Sequence, residues 1–322
     1  MPSVPVYTIT MPTPYAVGPV NAYLIEAEPL TLIDAGINTP QAQNAMLVAL
    51  AAAGYFPESI ERVLITHAHP DHYGLLHMLQ ERSGATVFFP EREIARVRDS
   101  QMLFEVGRLL LEAGMPIDLL FKMDQQRREG PRSKLKHDEV VAVTHGDTFA
   151  FMDDDGREFE LEAHLMPGHT GGHVVYLEPE SRTLFAGDQL LPETSPNPLL
   201  EASLDEPGER RRSLKEYMRS LERMDEMGLK LVYPGHGGVV SDPGALITST
   251  IEHHHKRKAV VASFLGPEGK TPYEVACEVF PNVEGYDSFL AVSEVVAHLD
   301  LVVEDGDAVV EAREGVTYYS AA

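Results

Sequence analysis

The apolar run Val63-Leu-Ile-Thr66 leads straight into His67-Ala-His69-Pro-Asp71-His72-Tyr-Gly, so four side chains able to bind a metal fall within six residues behind a β-type segment. On a strand-to-helix connection, backbone turns can aim all four at one point. Solvated loop histidines are the competing reading of this segment alone. The later loops of the chain decide between them.

Three more elements appear in order, each after a β-type run and each rich in glycine: Pro167-Gly-His169-Thr-Gly-Gly-His173, Phe185-Ala-Gly-Asp188 and Tyr233-Pro-Gly-His236-Gly-Gly. Glycine lets the backbone bend tightly and keeps side-chain bulk away from a ligand. Any one of these turns could be only a turn. Together, four loops offer His, Asp or both. The chain has 14 histidines but a single cysteine, Cys277, so neither an intrachain disulfide nor a cysteine-rich zinc module can form.

The rest of the chain supplies a layered α/β body. Strands are expected at 7–10, 22–26, 31–34, 63–66 and 86–89, with a helix over 41–53 closed by Gly54. Helices over 91–114 and 117–128 interrupt the strand rhythm as an inserted lid would. Strands resume at 140–144, 148–153, 158–164, 174–178 and 183–186, with a tight turn at Asp154-Asp155-Gly156. A helix over 213–227, a strand over 229–233 and a long helix over 245–265 come next. Beyond it, Thr271-Pro-Tyr-Glu starts a helix, another covers 287–299, and a hairpin over 301–320 is expected to turn at Glu304-Asp-Gly. The expected division is a body over 1–250, its helical insertion over about 91–136, and a small winged-helix-like unit over 251–322. The length of 322 residues suits one large domain or two unequal ones.

Composition removes several classes of function. Forty-three percent apolar and 24% charged residues exclude pervasive disorder. A formal net charge of −24 disfavours nucleic acid and anionic membrane partners. The longest apolar stretch, 44–56, is far short of the ~18–20 residues that span a bilayer. The opening MPSVPVYTITMPTPY has neither a basic nor an apolar leader region. A cytoplasmic protein acting on a small molecule is the expectation, with a homodimer as a compatible assembly.

The series HxHxDH, GHTxGH, GD and GH resembles the metallo-β-lactamase fold hydrolases over about residues 5–250, and the remainder is similar to the winged-helix extension of the beta-lactamase-like protein 2 group. The resemblance implies an αββα sandwich with a metal site at one edge. It places His67, His69 and His169 on one metal, Asp71, His72 and His236 on the other, and Asp188 between them. It also gives Asp71 a second role, returning a proton to the leaving group, and makes Asp34 a supporting carboxylate beneath the site. The alternative for Asp34 is a strand-end turn residue. With all seven ligands present, two divalent ions are expected, Zn²⁺ first and Fe or Mn as substitutes on the same ligands. Such a pair shares a water, lowers its pKa toward about 7 and holds it as a bridging hydroxide.

The implied activity is glyoxalase-II-like hydrolysis of an ester, thioester or lactone. Two departures bear on it. Leu191 stands where lactonases of the superfamily place a tyrosine, and the C-terminal part lacks the obvious helical binding residues of a glutathione thioesterase. An endoribonuclease cutting single-stranded RNA is the alternative, disfavoured because residues 251–322 carry 5 basic against 13 acidic residues. A mononuclear-iron sulfur dioxygenase is a further alternative, and a noncatalytic dimerising module is the last. Six basic residues in 122–136 and the run Arg210-Arg211-Arg212 would favour an anionic substrate if they faced the cleft, but a solvated face is the favoured reading of either stretch alone. His173 is read as a hydrogen-bonded structural residue. His253, His254 and His255 are read as a solvated helix face, with one of them reaching the pocket as the alternative. His77, His137, His145, His164 and His298 have no supporting context.

Overall fold

Alternating burial shows why the central segments become sheet. In Glu158–Leu165, Phe159, Leu161 and Ala163 point inward while Glu158 and Glu160 are exposed. A computed structural model of the chain describes residues 4–98, 100–129, 140–206 and 208–322. Six strands form the first sheet in sequential order: β1 (Val6–Met11), β2 (Val20–Ile25), β3 (Thr31–Ile33), β4 (Arg62–Leu64), β5 (Thr86–Pro90) and β6 (Val140–Val143). The second contains β7 (Thr148–Met152), β8 (Glu158–Leu165), β9 (Val174–Glu178), β10 (Thr183–Gly187) and β11 (Leu231–Pro234), in the order β11-β10-β9-β8-β7. Strands β3 to β6 run parallel to one another, as do β10 and β11.

The sheets pack face to face. Ile25, Ile33 and Leu64 of one meet Phe151, Leu161, Tyr176 and Phe185 of the other in a single apolar cluster. The outer face of the first sheet is covered by α1 (Pro40–Ala52), α2 (Pro70–Tyr73) and α3 (Leu76–Ser83), through Met46, Leu50, Leu76 and Leu79. After α4 (Glu91–Arg98), α5 (Ser100–Glu112) and α6 (Ile117–Glu129), α7 (Ser213–Glu226) and α8 (Pro243–Ser263) cover the second sheet through Leu214, Leu221 and Ile247. This is the expected αββα sandwich.

The helices between β5 and β6 fall where the sequence places an insertion. While α4 stays on the first sheet through Ile94, α5 and α6 pack onto the C-terminal elements, α9 (Pro272–Val279) and α10 (Tyr286–Glu304), with Leu109, Leu110 and Met115 in one cluster with Val275, Val292 and Leu299. The hairpin differs from expectation: its strands are β12 (Ala308–Arg313) and β13 (Val316–Ala321). Residues 301–304 instead continue α10, because Val302 carries on the buried stripe of Val295 and Leu299. The glycine expected at the hairpin turn, Gly306, lies in the left-handed region at φ +82° just past the helix end. Among the described residues, no helix is long and apolar enough to cross a membrane.

Candidate metal centre

All the motif residues leave the ends of strands that point to one edge of the sandwich. Asp34 follows β3, His67 to His72 follow β4, His169 lies between β8 and β9, Asp188 follows β10, and His236 follows β11. Cross-sheet hydrogen bonds bind these loops together. Val174 N donates to Thr66 O at 2.9 Å, Tyr176 Oη to Ile65 O at 2.8 Å, and Asn21 Nδ2 to Gly237 O at 2.9 Å. Glycine is needed where the loops crowd the site: a Cβ on Gly235 would stand 2.2 Å from Asp188 Oδ1 and 2.7 Å from His72 Cε1.

Two groups of ligand-type atoms result. His67, His69, His169 and Asp188 form one; Asp71, His72 and His236 form the other. Asp188 stands between them, with Oδ1 3.3 Å from His72 Nε2 and Oδ2 3.6 Å from both His169 Nε2 and His236 Nε2. His236 Nε2 also lies 3.4 Å from Asp71 Oδ2.

The rings are oriented from outside. His72 Nδ1 donates to Asp34 Oδ2 at 2.7 Å, His236 Nδ1 to Pro19 O at 2.8 Å, and His169 Nδ1 to Asn197 O at 3.2 Å. The Thr66 hydroxyl donates to Asp34 Oδ2 at 2.9 Å, which leaves its oxygen to accept from His67 Nδ1 at 3.0 Å. In each ring the proton is thereby fixed on the outer nitrogen, and a lone pair is turned inward, as metal-bound imidazole requires. His67 Nε2 and His169 Nε2 each lie 2.9 Å from His69 Nδ1. One proton on His69 Nδ1 cannot serve both neighbours well, whereas a cation among the three nitrogens can. His72 Nε2, His236 Nε2 and Asp188 Oδ1 are buried with no hydrogen-bond partner, and buried polar atoms of that kind call for a ligand. The donor set fits a divalent cation in each group.

The electrostatics agree. Burial opposes charging of His72, yet Asp188, Asp34 and Asp71 around it raise its pKa well above the usual histidine range. Burial and four neighbouring rings push His67 well below it. Burial would raise Asp188, but His72, His236 and His169 hold it well below the ordinary carboxylate range. Positive charge, a ring proton on His72 or a cation in its place, is favoured beside the carboxylates, and His67 is kept neutral.

Several further expectations meet the structure here. His173 is buried, and its Nε2 accepts from Asp188 N at 3.2 Å, as a structural histidine should. Arg210, Arg211 and Arg212 do not offer a free anion site. Arg210 pairs with Asp300 at 2.6 Å, Arg211 is buried between Glu201 and Glu216, and Arg212 also pairs with Asp300. The run is consumed by internal carboxylates. Of the other basic stretch, Arg128 pairs with Asp124 at 2.6 Å, and residues 130–136 lie outside the described residues. His254 and His298 are both fully buried.

Sequence reasoning missed Glu93 and Asn197. The Glu93 carboxylate is buried and accepts from Ala68 N at 3.2 Å, Thr170 Oγ1 at 2.6 Å and Gly172 N at 2.8 Å, so it ties the His67 loop to the His169 loop. Asn197, whose carbonyl orients His169, is held by Nδ2 donating to Leu290 O at 2.9 Å.

A strand-edge cradle of His and Asp between two sheets defines a metal-dependent hydrolase. The sequence pattern of the metallo-beta-lactamase superfamily matches residues 15–236, and the chain belongs to that superfamily. It is 35% identical to the Bacillus subtilis (strain 168) protein named "Probable metallo-hydrolase YqjP", over 98% of this chain and 97% of that one. It is 25% identical to a beta-lactamase-like protein 2 homolog of Caenorhabditis elegans, over 92% of this chain and 82% of the relative. A metallo-beta-lactamase family protein from Thermus thermophilus superposes with a TM-score of 0.83 at 28% identity, covering 99% of both chains.

Proposed function

We propose that His67, His69 and His169 hold one divalent cation and Asp71, His72 and His236 a second, with Asp188 serving both, and that the enzyme hydrolyses an ester, thioester or lactone of a small metabolite. The observation that carries this reading is the convergence of the two ligand groups on Asp188, where His72 Nε2, His236 Nε2 and Asp188 Oδ1 are buried without a well-formed hydrogen bond. Zn²⁺ is the first choice for this set of imidazoles and carboxylates. When bound, the pair supplies a water acidified to a pKa near 7 and a positive field for the oxyanion of an acyl transition state.

The chain's own groups divide the remaining work. Asp34 and Thr66 keep the His72 and His67 rings turned inward. Asp71, buried beside His236, returns a proton to the leaving atom after the scissile bond opens. The partly exposed Tyr15 phenol is pushed up to about 12, by burial first and then by Asp71, Tyr286 and Tyr73, so it is a neutral hydrogen-bond donor. Because internal carboxylates occupy Arg210 to Arg212, specificity for an anionic group does not reside there.

The test is metal analysis of the purified protein with a screen of thioesters, esters and lactones. Two equivalents of zinc, and a turnover that Asp188→Ala abolishes, support the reading. One equivalent of iron with oxygen uptake, or strongly salt-sensitive cleavage of single-stranded RNA, would overturn it.

A further inference from the structure

We propose that His254, Glu294 and His298 form a third metal site, taking a zinc-type divalent ion where α8 crosses α10, apart from the strand-edge centre. The three side chains are buried, and their ligand-type atoms lie within 4.8 Å of one another. His254 Nδ1 and His298 Nε2 face each other at 3.2 Å. Two nitrogens at ~2.0–2.1 Å from a tetrahedral zinc stand about 3.3 Å apart. The spacing fits without rearrangement of either ring.

The outer nitrogens repeat the pattern of the strand-edge histidines. His298 Nδ1 donates to Glu294 O at 2.7 Å, so its Nε2 carries the lone pair. His254 Nε2 lies 2.7 Å from the Ser195 hydroxyl, an acceptor that leaves Nδ1 free to face the same point. Burial is the main cause that lowers His254 to about 3 and His298 to about 4, so both rings are neutral, as ligands must be. Glu294 supplies the charge: its Oε1 lies 3.7 Å from His298 Nδ1, so the carboxylate turns toward Nε2 to join the two inward nitrogens. Burial lifts its carboxyl to about 7, and the Arg257 guanidinium comes no closer than 3.9 Å. A cation among the three would add to the partial compensation that Arg257 gives this buried carboxylate.

The competing arrangement has no metal: the Ser195 hydroxyl donates to His254, His254 Nδ1 donates to His298, and Glu294 stays protonated. Placement gives the site a structural role, since Ser195 belongs to the segment 195–200 whose Asn197 carbonyl orients His169. A metal here would anchor that segment to α8 and α10.

The experiment compares zinc content of the full chain, loaded with zinc and freed of excess, between wild type and Glu294→Gln or His298→Gln. A deficit of one equivalent in each variant is expected, whatever number the strand-edge centre holds. Equal zinc in wild type and folded variants would overturn the proposal. Should neither variant fold, a zinc-edge anomalous map of wild-type crystals decides: a peak between His254 Nδ1 and His298 Nε2 supports the site, and none there refutes it.

Discussion

Asp34 holds His72 from behind: the Oδ2 of one accepts from Nδ1 of the other at 2.7 Å, with both buried. The same carboxylate accepts from Thr66 N at 2.9 Å, so one residue fixes the ring and the start of the loop that carries His67. Asp34 does this from a left-handed backbone at φ +61°, a conformation Asp and Asn tolerate better than other side chains. Asp34→Asn should therefore keep the turn while changing the partner of His72. The expected result is a cation bound at the His72 group about 10–100-fold more weakly, read by chelator competition. Unchanged affinity would contradict the role given to Asp34.

Gly235 offers a test of space. It needs no unusual backbone, but an added methyl would collide with Asp188 Oδ1 and His72. Gly235→Ala should fold and lose roughly 100-fold in turnover of the best ester or thioester, since displacing a reacting group by about 1 Å costs that much. Full activity in the variant would mean that Asp188 and His72 have no fixed part in catalysis.

Glu93 carries three donors from two loops. Glu93→Ala leaves Ala68 N, Gly172 N and the Thr170 hydroxyl without this acceptor. Buried donors left unsatisfied cost about 1–3 kcal/mol each and do not add fully, so a loss of about 2–4 kcal/mol is expected in urea denaturation. A change below about 0.5 kcal/mol, the level of an ordinary surface substitution, would show that Glu93 does not tie the two loops.

Glu294 sets a pH dependence of known sign. Burial raises its folded pKa from 4.5 to about 7. The folded chain then holds this proton more tightly than the unfolded chain, so the associated stability is full below 4.5 and is lost as pH rises toward 7. In chelator-treated protein, Glu294→Gln should gain stability relative to wild type between about pH 5 and about pH 8, by on the order of 3 kcal/mol at most. Denaturation at both pH values measures it. An equal difference at both would show that the carboxyl is not buried as described.

The seven candidate ligands were legible because each sits on a strand-end loop, where glycines and local polar clusters mark the chain. The sandwich was legible from alternation such as Phe159, Leu161 and Ala163. Residues acting across long sequence distances were not. Glu93 reads locally as one more acid on a polar helix, and only the fold brings it to Thr170. His254 lay within His253-His254-His255-Lys-Arg-Lys, which resembles a solvated face. A usable signal was the helical spacing of Ile247, Thr250, His254 and Val261, all buried in α8. The sequence left the arginine run between a cleft-facing and a solvated reading, and neither shows the distant Asp300 that holds Arg210 and Arg212 or the nearer Glu201 and Glu216 that bury Arg211.

Anomalous diffraction from crystals of the zinc-loaded protein tests the paired-cation centre most directly. Two peaks about 3.5–4 Å apart are expected, flanking the Asp188 carboxylate, one among His67, His69 and His169 and the other among Asp71, His72 and His236. Empty density at Asp188, with those rings turned apart in the presence of abundant zinc, would contradict it.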